Sequence, residues 1–66
     1  MAKIWQPQPF EILQSWLDAI IDEASDKLSN WETGFIENIS DRVAHKWPLT
    51  QRQEEILEKI YSEKTS

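Results

Sequence analysis

The side chains with most chemical capacity are one histidine, six serines and twelve carboxylates, and their spacing decides what they can do. Glu37, Asp41 and His45 recur every fourth residue, so a helix sets them on one face, within common reach of a divalent ion. One imidazole with two flexible carboxylates is an incomplete ligand set. The stripe reads better as solvated surface, with His45 favourably placed near a helix C-terminus. Asp18, Asp22 and Asp26 share a face in the same way but lack the glycine-turned loop of a calcium site. No cysteine is present, and no serine has a second base close in sequence to build a nucleophilic relay. Adjacent acids such as Asp22/Glu23 and Glu54/Glu55 point apart on a helix, and so short a chain has little room for a desolvated pocket. The expectation is a protein that is not an enzyme, with no cofactor and no metal.

Cationic residues offer a second kind of chemistry. Arg42, Lys46 and Arg52 flank Trp47-Pro48-Leu49, where two helices meet in a helix-turn-helix outline. Gln51, Arg52 and Gln53 at the start of the following helix are residues that read base edges. Glu54, Glu55 and Glu58 follow at once and would repel phosphate. With 12 acidic against 7 basic residues the chain carries a net charge of −5, which disfavours direct nucleic-acid binding. The opposite use of that charge is imitation of nucleic acid by Asp18, Asp22 and Asp26, to inhibit a protein with a basic groove. An ordinary acidic surface explains the same residues more simply.

Contact chemistry is the strongest signal. Four tryptophans, Trp5, Trp16, Trp31 and Trp47, fall within 66 residues. A domain of this length hides only about 60% of the surface its unfolded chain exposes, so it cannot bury all four indoles. Aromatic side chains dominate binding energy where they reach an interface.

The elements that must position these residues follow from apolar periodicity. Gln-Pro-Gln-Pro (6–9) makes residues 1–8 an irregular arm, with Pro9 suited to a first helical position and Trp5 folding back as a lid. Phe10, Leu13, Leu17, Ile20, Ala24 and Leu28 then draw one apolar stripe along a helix near 9–27. Ile12, Trp16 and Ala19 form a second strip beside it. Ser29 to Glu32 is a capping box that opens a helix near 30–46, and Thr50 to Gln53 opens a third near 50–63. Gly34 lies inside the second helix, where a close neighbour such as Trp16 would explain it. Trp47-Pro48 ends that helix. The fold class is therefore all-α: a single three-helix domain over 9–63, with a frayed tail at 64–66.

The pattern Leu-Ser-x-Trp-Glu-x-x-Phe-Ile (28–36), Ile39, Pro-Leu-Thr-x-Arg-Gln (48–53) and Ile-Leu-x-x-Ile (56–60) resembles short helical modules of phage and bacterial replication and recombination proteins. The small domain encoded beside the UvsW helicase of T4-like phages is one. The resemblance covers residues 28–61 and leaves out the tryptophan-bearing first helix. It implies core roles for Trp31, Phe35, Ile36, Ile39, Leu49, Ile56, Leu57 and Ile60, and capping roles for Ser29, Glu32, Thr50 and Gln53. It also implies a setting, as an accessory protein in DNA metabolism or in a phage, and not an activity.

Together these readings favour a small acidic protein–protein interaction module that docks through Ile12 and Trp16, assisted by Trp5 or Trp47. The partner would be another protein or a second copy in a homodimer. An accessory domain contacting nucleic acid through Arg42, Lys46 and Arg52 is the alternative, and the acidic inhibitor is a third. No leader segment is visible, and the longest apolar run is Ala19–Ile21, so a cytoplasmic protein without membrane contact is expected.

Overall fold

A computed structural model describes residues 5–65. Residues 1–4 of the expected arm and Ser66 of the expected tail lie outside the described residues. Three helices follow the arm: α1 (Phe10–Ala24), α2 (Asn30–Ala44) and α3 (Gln51–Lys64). The described residues contain no strand. None of their helices is long and apolar enough to cross a membrane.

Each helix start has a local cause. Pro9 caps α1 with its carbonyl, which accepts from the Ile12 and Leu13 N–H groups at 3.0 and 3.1 Å. It thus sits one position before the first helical residue, and Glu11 supplies the negative charge that a first turn favours. Ahead of α2, the Glu32 N–H donates to Ser29 Oγ at 3.1 Å, and the Ser29 N–H donates to Glu32 Oε1 at 2.8 Å. That backbone donor holds the Glu32 carboxyl below its ordinary pKa. Thr50 and Gln53 repeat the arrangement for α3 at 3.1 and 2.9 Å. Both capping boxes satisfy amides that would otherwise lack partners.

The helix ends differ more from expectation. α1 tightens into a 3-10 turn at Ser25–Lys27, and Leu28 then turns the chain in extended geometry. α2 stops at Ala44, before the residue that precedes Pro48. Lys46 adopts the left-handed conformation at φ 59°, with its N–H donating to the Val43 carbonyl and that of Trp47 to the Arg42 carbonyl. These are the paired bonds of a Schellman ending, with lysine where glycine is usual. Arg42 Nη2 adds a bond to the Pro48 carbonyl at 3.0 Å, which ties the end of α2 to the turn. At the other terminus α3 stays helical through Lys64, whose ammonium lies 3.9 Å from Glu32 at the start of α2.

Pairs across the helices fix their directions. Gln8 meets Glu54 and Trp16 meets Tyr61, so α1 and α3 run the same way. Lys64 meets Glu32, while Arg42 meets Pro48, so α2 runs against α3. The result is an up-down-up bundle. Its buried core is aliphatic: Leu13, Leu17, Ile20 and Ala24 from α1, Ile36, Ile39 and Val43 from α2, and Leu49, Leu57 and Ile60 from the last segment.

Two expectations about α2, the core role of Trp31 and a close neighbour at Gly34, are corrected. Trp31 is 62% exposed and stacks on Phe35, with ring centroids 5.3 Å apart. It stands five residues before Ile36, about 140° around the helix from it, too far round to enter the core. Gly34 has no close neighbour: a Cβ built on it meets nothing within 4 Å. It lies two residues from Ile36, on the outer face of α2, and Trp16 packs against α3 instead. Gly34→Ala should therefore stabilise the protein by about 1 kcal/mol through helix propensity alone. Thermal unfolding should show a rise of about 4 °C in Tm; a fall would mean that the position is crowded after all.

Candidate protein interface

The four residues nominated for docking do not form one patch. Ile12 and Trp16 lie one turn apart on the flank of α1 that faces α3. Ile12 is 40% exposed, whereas Trp16 is half-buried and stacks on Tyr61 at a centroid distance of 5.6 Å. Trp5 lies over α3 rather than beside Ile12 and Trp16. The arm folds back on α3, where Trp5, Gln6 and Gln8 line an open groove with Gln51, Glu54, Glu55 and Glu58. Trp47 lies apart at the turn between α2 and α3, exposed and stacked on His45 at 4.6 Å. The geometry thus joins Ile12, Trp16 and Tyr61 along the α1–α3 seam, with Trp5 in the groove between the arm and α3 and Trp47 at the end of α2.

The arm is held by a residue that sequence reasoning missed. Glu54 is buried at the start of α3, and the Gln8 N–H donates to both of its carboxylate oxygens at 3.1 and 3.2 Å. Burial pushes its pKa up. The Gln8 donor pulls it down, and the neighbouring Glu58 charge raises it further, leaving a net upward shift. A signal was available: Glu54, Leu57 and Tyr61 follow helical spacing, so the acid lies on the apolar stripe. Glu55 also accepts from Gln51 Nε2 at 3.1 Å and remains exposed with Glu58. The seam therefore carries aromatic and aliphatic surface bordered by negative charge.

Scanned against protein-family models, curated proteins and solved structures, this chain matches none. Its chemistry has to be read from its own side chains.

The basic residues of the alternative reading are occupied in different ways. Arg42 is half-buried against the turn it ties to Pro48. Lys46 holds its ammonium 5.6 Å from the centre of the Phe10 ring, on the α1 side. Arg52 is exposed on the first turn of α3. His45 lies at the end of α2 with Nδ1 2.7 Å from the Asp41 carbonyl and 3.6 Å from the Asp41 carboxylate. Among the described residues, no group of three or more histidine or acidic side chains converges as a metal site.

Because the Glu54 pKa is raised in the folded state, its contribution to stability is full below the ordinary carboxylate range. It is lost as pH rises through the shifted value. Glu54→Gln keeps an acceptor for Gln8 and removes the buried charge. The variant should be more stable than the wild type at pH 7, with the gap closing as pH falls below the carboxylate range. Denaturant titrations at several pH values measure this; a constant gap would assign the effect to packing rather than charge.

Proposed function

We propose that the chain is a non-enzymatic protein-interaction module that docks through the α1–α3 seam. The observation that carries this reading is Ile12, an isoleucine left exposed beside the Trp16–Tyr61 stack. Trp5 adds a further aromatic group in the groove that the arm forms with α3. Large apolar and aromatic groups gathered on one seam are what a hot spot requires. Exposed Glu55 and Glu58 border that groove and favour a partner segment whose apolar anchors are flanked by lysine or arginine. Trp47, stacked on His45 at the α2–α3 turn, assists only a partner broad enough to reach that end.

The seam also selects the variant that separates binding from folding. Trp16 packs against the core as well as on Tyr61, so Trp16→Ala would cost about 3 kcal/mol, a large part of a small domain's stability. Ile12→Asp removes apolar surface from the seam at an exposed position and leaves the core intact. In capture from a nuclease-treated lysate with identification by mass spectrometry, Ile12→Asp should lower partner recovery about tenfold. Its Tm should stay within about 3 °C of the wild type. Equal recovery by both proteins would remove Ile12 from the interface. Partners present only without nuclease would instead favour the accessory role in nucleic-acid metabolism.

A further inference from the structure

The opposite seam, between α1 and α2, is less well filled. α1 and α2 run in opposite directions, and two hollows follow each other along the line where they meet. The first is floored by Phe10, Val43 and Ala44. The second is floored by Ile21, Leu28 and Ile36. Ile21 is 50% exposed, although it stands next to the core residue Ile20. Ser40 lines the second hollow, with its hydroxyl oxygen turned away from the surface.

Charge identifies what fits there. Glu11 and Asp18 line the crevice from α1, and Glu37 lines it from α2. One helical turn on, Asp22 and Asp41 extend the two rows. Among the described residues, Lys46, at one end over Phe10, is the single cation lining either hollow. An apolar floor between two acidic rims complements a helix with an aliphatic stripe and lysine or arginine on both flanks. The crevice runs along α1, about 22 Å for fifteen residues, which accommodates about four turns of such a helix. A second copy of this chain is a poor occupant. A two-fold contact would set each acidic rim against its own equivalent, and the net charge of −5 adds repulsion.

We propose that the α1–α2 crevice is a docking groove for a cationic amphipathic helix of a partner protein, which completes a four-helix bundle. The partner's aliphatic anchors fill the hollow between Ile21, Leu28 and Ile36. Its cations lie over Asp18, Asp22, Glu37 and Asp41. This groove is separate from the α1–α3 seam and stands without it.

The test uses the isotope-labelled full chain and three synthetic peptides of about fifteen residues, long enough to match α1. The first has leucine at helical spacing with lysine and arginine on both flanks. The second replaces the cations with glutamate, and the third replaces the leucines with serine. The first peptide should shift the amide resonances of Ile21, Leu28, Ile36 and Ser40, and the two controls should not. Ile21→Ser should weaken binding about tenfold, the effect of losing an anchor. Asp18→Asn with Glu37→Gln should weaken it several-fold and flatten its salt dependence. Both variants should keep the helical circular dichroism of the wild type. Shifts mapped to Trp5, Ile12 and Trp16 would overturn the proposal and assign cationic helices to the other seam. Equal binding by the glutamate peptide, or no effect of Ile21→Ser, would also overturn it. So would a dimer in sedimentation that Ile21→Ser dissolves.

Discussion

The constraint on which the structure depends is the volume of its aliphatic core. The fully buried large side chains are Leu13, Leu17, Ile20, Ile39 and Leu57, and no ring is among them. Three helices of 14 or 15 residues enclose only a thin column of side chains, which branched aliphatics fill in well-defined rotamers. An indole set in that column would force the helices apart along their length. The aromatic residues are therefore displaced to the edges, where each finds a partner ring or a groove wall. Trp16 rests on Tyr61, Trp31 on Phe35 and Trp47 on His45. The surface character of the protein is thus a consequence of its core.

With so little buried area, short-range chemistry has to set the helix limits. Each of the two turns is closed by bonds between residues a few positions apart. Ser29 with Glu32 and Thr50 with Gln53 start their helices, and Arg42 with the Pro48 carbonyl closes the second turn. The loops hold few residues, so closing them costs little chain entropy. The one backbone conformation that works against this economy is Lys46 in the left-handed region. A lysine there keeps a cation over Phe10, which glycine could not supply.

How far the sequence revealed this arrangement depended on the range of the interaction involved. Both capping boxes and the apolar stripes were legible, because each is encoded within one or two helical turns. The three helices appear close to their expected limits for that reason. Trp31, Gly34 and Glu54 were harder, since each requires knowing which way a helix is rotated about its axis. Spacing places Trp31 near the stripe, and only the packed bundle shows that it falls outside. Glu54 lay on the stripe in plain view, but a carboxylate is a residue expected at the surface. What covers it is the arm, whose path no periodicity encodes. The left-handed turn at Lys46 was illegible for a different reason: neither glycine nor asparagine marks it.

The stacked rings have a thermodynamic consequence. A tryptophan stacked on Tyr61 or Phe35 already rests against another ring within the folded chain. Ordering a mobile side chain at an interface typically costs about 0.5–1.5 kcal/mol. For a ring already stacked in the folded chain part of that cost accompanies folding, so any later burial would depend mainly on desolvation and fit. Association through such rigid surfaces carries a negative heat-capacity change with little ordering entropy against it.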